Sequence, residues 1–135
     1  MSPPAAEPVH PPWIAPFWAG ADRGALLVQH CDDCGTPRFP PGPRCGVCTS
    51  DRCTWRPVSG HGRVLSWTRT HHPFGAGLRD RVPYTVVLVE LVERPGLAMF
   101  GNLVPDGAIT AGTPVRAVFV HTPAQTLVQW EPCVS

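Results

Sequence analysis

Apolar residues Ile14, Phe17, Trp18 and Ala21 fall at i, i+3, i+4 and i+7, which is one side of an α-helix. Gly24 follows as a stop signal, so a short helix is expected within residues 13–24. Trp13, Phe17 and Trp18 give this segment a large apolar surface. It can pack on its own domain or on a partner chain, and the pattern leaves both open. After residue 24 the period becomes two. Leu26–His30 reads as a short strand. Arg63–His71 alternates, with Val64, Ser66 and Thr68 on one side and Leu65, Trp67 and Arg69 on the other. The strongest strand is Pro83–Glu93, which is β-branched and apolar at its centre. Leu97–Val104 follows after the Arg94–Pro95–Gly96 turn as the second arm of a hairpin. Pro114–Val120 and Thr126–Glu131 pair across a turn near Pro123. Five strands in so short a stretch need their edges covered, and a small closed barrel of the OB type does that. Gly75–Arg81 is then a loop between the first two barrel strands. Asp106–Thr113 occupies the place of the barrel's usual helix but is too glycine-broken for more than one turn.

Composition agrees with this picture. The chain has 135 residues, with 18 prolines and 13 glycines, which favours turns over long helices. Residues 1–12 are proline-rich and read as a mobile tail or an extended arm that docks on something. All 11 basic residues are arginine, and the formal net charge is +1. Residues 1–57 hold five arginines and five acids, and residues 58–135 hold six and five. A nucleic-acid binder carries a basic excess that this count does not show. No segment is long and apolar enough to cross a bilayer, and no signal peptide is evident. The expected location is therefore cytoplasmic, where thiols stay reduced and cysteines serve as ligands or buried thiols.

Four of the six cysteines form a pattern. Cys31-x2-Cys34 is followed after ten residues by Cys45-x2-Cys48. Each pair suits a tight knuckle, and two facing knuckles make a tetrahedral S4 cage. Gly35 and Gly46 are placed where the knuckle turns are expected to need positive φ. S4 cages also hold iron, but the polar, proline-rich stretch between the pairs favours zinc. With all four positions filled by protein, the expected ion is a single structural Zn2+. Cys53 and Cys133 fall outside the pattern and read as free or buried thiols.

Several segments resemble a known family. The run Phe17–Gly35, the segment Arg38–Phe39–Pro40–Pro41, the hinge Trp55–Val64, the strand Pro83–Leu91 and the entry Gly112–Ala117 are all similar to the acyl-CoA-associated zinc-ribbon/OB-fold family. The resemblance covers about residues 13–132. One departure is Gly46–Val47 in the second knuckle, where the family more often has a proline after the first cysteine. The resemblance implies a mainly β chain in three parts. These are an N-terminal arm and helix (1–25), a rubredoxin-like zinc ribbon (26–57) and a five-stranded OB barrel (58–135). It also implies a non-catalytic subunit that partners a thiolase-superfamily enzyme: a thiolase, an acyltransferase or a steroid side-chain retro-aldolase. Such a subunit sits in a hetero-oligomer around a thiolase dimer and helps hold or pass an acyl-CoA, with a separate enoyl-CoA hydratase as a further partner.

The chain's own chemistry is sparse. His71 and His72 are neighbours on a strand and point to opposite faces, so they do not form one metal site. No Ser-His-Asp order, paired carboxylates or phosphate-binding loop is evident. No catalytic residue is assigned. Candidate acyl-CoA or partner contacts are Trp13, Phe17, Trp18, Phe74, Arg79, Arg81 and Tyr84. The two arginines have the fork geometry that suits phosphates. Two other readings compete: a single-stranded nucleic-acid-binding ribbon/OB module, and an enzyme using Cys53 or Cys133 with His61 or His121 as base.

Overall fold

The computed structural model describes residues 11–72 and 82–133. A single turn of 3-10 helix, Pro12–Ile14, leads into helix α1, Ala15–Asp22. Pro16 stands in the first turn of α1, where its missing N–H has no helical partner to lose. Gly24 ends the helix at φ +75°. Helix α1 buries Phe17, Gly20 and Ala21. Gly20 is required by close approach, since a Cβ there would sit 2.7 Å from Leu27 Cγ. Phe17 packs edge-on against Trp18 at 5.2 Å and meets Phe39 at 5.5 Å.

The first sheet is short. Strand β1 (Leu27–Cys31) lies between β2 (Pro37–Arg38) and β3 (Cys53–Pro57), and both pairings are antiparallel. The second sheet has β4 (His61–Thr70), β5 (Tyr84–Leu91), β6 (Ala98–Asn102), β7 (Pro114–His121) and β8 (Thr126–Pro132). Its order is β6-β5-β4-β7-β8, antiparallel throughout. A parallel bridge from Leu103 to Trp130 joins the two outer strands, and Val104 N–H donates to Trp130 O at 2.8 Å. The sheet thus curls into a small Greek-key barrel of OB type. No helix forms between β6 and β7; residues 104–113 are turns and extended backbone.

Strand β5 alternates between half-buried and buried at every residue, which places Thr85, Val87, Val89 and Leu91 inside. Strand β4 corrects the simple alternation expected for it. A bulge between Val64 and Ser66 shifts the register, so Val64 faces Val89 while Trp67 faces Val87 and Arg69 faces Thr85. Val64, Trp67 and Arg69 therefore share the face of Val89, Val87 and Thr85, where Val64 is buried and Trp67 and Arg69 stay exposed, and Ser66 and Thr68 lie opposite. The extra residue at Leu65 flips parity, as a bulge must.

One core serves all three parts. Leu26 and Val28, Phe17, and the barrel residues Val64, Val87, Val89, Leu91, Val115 and Trp130 form a single buried cluster. A second tie is polar. Thr126 Oγ1 donates to Asp22 Oδ1 at 2.7 Å and lies 2.8 Å from His121 Nδ1. The hydroxyl has one proton and directs it to Asp22, so His121 Nδ1–H is the donor in the other bond.

Trp130 is fully buried, and Gly101 passes directly beneath it: a Cβ at 101 would lie 2.6 Å from Trp130 Cδ1. Gly101→Ala is expected to destabilise the fold by about 1–3 kcal/mol through overpacking. Trp130→Ala, which leaves a cavity, is expected to cost about 3–5 kcal/mol. Denaturant midpoints of the two variants check both values.

Candidate metal centre and contact surface

The cysteine pattern becomes a compact cluster. Each pair sits on a knuckle built in the same way. Cys31 N–H donates to Thr36 O at 3.0 Å and Gly35 N–H to Cys31 O at 2.9 Å. In the second knuckle Cys45 N–H donates to Ser50 O at 2.9 Å and Thr49 N–H to Cys45 O at 3.0 Å. The positive-φ residue is the fourth after the leading cysteine in both: Gly35 at +77° and Thr49 at +65°. This corrects the expectation for Gly46, whose φ is not positive. The turn closes later, on a β-branched residue that pays a steric cost for the conformation.

The four Sγ atoms all lie within 4.8 Å of one another. Cys31 Sγ is 3.5 Å from Cys48 Sγ, and Cys34 Sγ is 3.6 Å from Cys45 Sγ. A tetrahedral zinc site with Zn–S bonds of about 2.3 Å has S–S edges of roughly 3.8 Å, so the donor set and its size fit one zinc ion. Backbone amides point at the leading sulfurs: Cys34 N–H to Cys31 Sγ at 3.5 Å and Val47 N–H to Cys45 Sγ at 3.4 Å. Cys31 and Cys45 are buried, while Cys34 and Cys48 are exposed.

The thiols titrate unequally. The backbone N–H groups of Cys48 and Val47 pull Cys45 down to about 6. The Cys34 N–H is the main cause lowering Cys31. The Ser50 N–H pulls Cys48 down, but hydrogen bonding to Cys31, burial, and the bonds to Cys34 and Cys45 outweigh it and push Cys48 up to about 12. Cys48 therefore holds on to a proton that a divalent cation would displace.

Contacts that the cysteine spacing did not reveal lock the knuckles together. Asp33 accepts from Ser50 Oγ and from Arg52, and Thr54 Oγ1 donates to Asp32 at 2.7 Å. The Ser50 and Arg52 bonds hold the Asp33 carboxyl below its ordinary range. The adjacent acids Asp32 and Asp33 between two ligand cysteines were the available signal.

Among the described residues, the candidate contacts are spread between the N-terminal helix and the barrel. Trp13 is 64% exposed, Trp18 and Tyr84 are half-buried, and Phe17 is buried against Trp18 and Phe39. Phe74, Arg79 and Arg81 lie outside the described residues. Tyr84 opens β5 opposite Thr70, in the barrel, whereas Trp13 stands beside the ribbon. His61 and His121 sit on β4 and β7, and the bonds of His121 run to Thr126, not to a cysteine.

Cys34→Ser is expected to abolish stoichiometric metal and to unfold the ribbon, because the site and the local fold form together. Cys53→Ser is expected to keep one zinc per chain and unchanged thermal stability. Metal analysis and circular dichroism decide both. Gly35→Ala is expected to cost about 1 kcal/mol, because alanine resists positive φ, read as a lowered unfolding midpoint.

The comparisons with known proteins follow the same division. The profile described as "ChsH2, rubredoxin-like zinc ribbon domain" matches residues 18–53, and "ChsH2, C-terminal OB-fold domain" matches residues 55–120. A probable enoyl-CoA hydratase alpha subunit of Thermomonospora curvata is 37% identical over 87% of this chain and 37% of its own length. The 3-oxo-4,17-pregnadiene-20-carboxyl-CoA hydratase alpha subunit of Mycobacterium tuberculosis is 35% identical over 86% and 36%. This chain thus spans little more than a third of those two relatives. A DUF35 domain-containing scaffold protein of Pyrococcus furiosus is 30% identical over 71% of both chains. Among solved structures, a chain of the Ltp2-ChsH2(DUF35) aldolase superposes with a TM-score of 0.83 at 33% identity, covering 95% of this chain and 100% of that one. The knuckle pair, the closed five-stranded barrel and these matches place the chain in the DUF35 family of ChsH2-type zinc-ribbon/OB-fold proteins.

Proposed function

We propose that this chain is a non-catalytic accessory subunit that docks on a thiolase-superfamily enzyme and helps seat an acyl-CoA. The observation that carries the reading is the likeness to a chain of the Ltp2-ChsH2(DUF35) aldolase over that chain's full length. Two relatives named as CoA hydratase alpha subunits support a CoA thioester as the shared ligand. In this reading Cys31, Cys34, Cys45 and Cys48 hold one zinc that stiffens a ribbon of residues 26–57. A closed S4 cage offers no open position for substrate, so the metal's task is structural. Residues 58–135 act as the barrel. The enzyme partner is a thiolase, an acyltransferase or a steroid side-chain retro-aldolase in a cytoplasmic hetero-oligomer around a thiolase-like dimer, with a separate enoyl-CoA hydratase as a further companion. Trp13 and Tyr84, with Phe74, Arg79 and Arg81, supply contacts to partner or acyl-CoA.

Among the described residues neither Cys53 nor Cys133 has a hydrogen-bonded histidine that could serve as its base.

Affinity purification of the tagged chain from its host at moderate salt, with mass spectrometry, tests the proposal. A stoichiometric thiolase-like protein is the expected result. Recovery of nucleic acid alone, lost steeply with added salt, would overturn it in favour of a nucleic-acid module.

A further inference from the structure

Beside the ribbon lies a groove of about 510 Å3. Its walls are Trp13, Pro41 and Pro43, and the Trp13 ring is largely exposed. Gln29, on β1, lines it and is only 7% exposed. Gln29 Oε1 accepts from Arg38 Nε at 2.9 Å and from Gly42 N–H at 2.8 Å. Two donors aimed at one atom settle the orientation of the amide, so Nε2 and its two protons face away from them. Nε2 has no acceptor among the described residues. The Asp51 carboxylate and the Cys53 thiol line the same groove and are also without a hydrogen-bond partner among the described residues.

An oriented donor pair on a buried residue, an exposed carboxylate and apolar walls together match a linear secondary amide. Its carbonyl would accept from Gln29 Nε2, its N–H would donate to Asp51, and its hydrocarbon flanks would lie on Trp13, Pro41 and Pro43. A donor held in place beforehand binds without the cost of ordering it. We propose that this groove holds the amide-bearing pantetheine arm of a CoA thioester. The groove gives the amide chemistry; the identity of the source rests on the acyl-CoA role proposed above. Cys53 stands where it can report occupancy.

The test uses the full chain and a thiol-free pantothenamide, which carries the two amides of the arm without its reactive sulfur. Binding is read by calorimetry, and alkylation of Cys53 by iodoacetamide is followed by residue-resolved mass spectrometry. The pantothenamide is expected to bind and to slow alkylation at Cys53 but not at Cys133. Gln29→Glu keeps an oxygen for Arg38 and Gly42 while removing the donors, and is expected to weaken binding about tenfold or more. Metal content and circular dichroism establish that this variant is folded. Absence of binding and protection overturns the proposal, as does a folded Gln29→Glu chain that binds like the parent. Protection by a proline-rich peptide without protection by the pantothenamide overturns it in favour of a peptide site. The titration involves no partner enzyme, so its failure is distinct from failure of the co-purification.

Discussion

The architecture depends on a core that no single part could build alone. The ribbon sheet has three short strands, two of five residues and one of two, too little to enclose anything. It is stable because Leu26 and Val28 join Phe17 and the barrel residues in one buried cluster. The far end of the ribbon lies beyond the reach of that cluster. There the thiols of Cys31, Cys34, Cys45 and Cys48 take over, helped by the Asp33 bonds to Ser50 and Arg52. Burial at one end and ligation at the other hold a segment that has little regular structure of its own.

The same economy governs the barrel. Its outer strands are joined by the Leu103–Trp130 bridge, and the only way to bring them that close is to remove a side chain at Gly101. Gly62 does the same at the β4–β5 contact, where a Cβ would sit 2.5 Å from Glu90 O. Near the open end of the hairpin, Asp106 accepts from Thr85 Oγ1 at 2.7 Å and pairs with Arg69 at 2.9 Å, which ties the β6–β7 connection to β4 and β5. The bond from Thr85, ahead of the charge of Arg69, lowers the Asp106 pKa.

Much of this was legible because burial follows local periodicity. Strand β5 could be read directly, since each inward position is Thr, Val or Leu and each is covered. The helix could be read from Ile14, Phe17, Trp18 and Ala21, although its prolines, Pro12 and Pro16, make its first turn tighter. The metal cluster was legible from spacing alone, because two Cys-x2-Cys pairs ten residues apart suit one S4 cage. What escaped was set by backbone geometry or by distant partners. The bulge at Leu65 leaves no mark in residue type. The left-handed turn falls on Thr49, although glycine is the residue that best tolerates it. Gln29 looks like an ordinary strand residue until Arg38 and Gly42 are seen to fix its amide, and the tie from Asp22 to Thr126 crosses nearly the whole chain.

That last tie has a consequence for how the molecule is made. Helix α1 leaves the ribosome well before Thr126, the hydroxyl partner of Asp22, which lies 104 residues further along. Its contacts with β8 cannot form until the last barrel strand has emerged. A contact of such span carries a large loop-closure entropy and closes late. Until then the helix can rest only on the ribbon, through Phe17 on Phe39 and Gly20 on Leu27, and the side that meets β8 stays open. A helix made before the barrel thus completes its docking only when the last strand arrives, and that final contact reports that the barrel is closed.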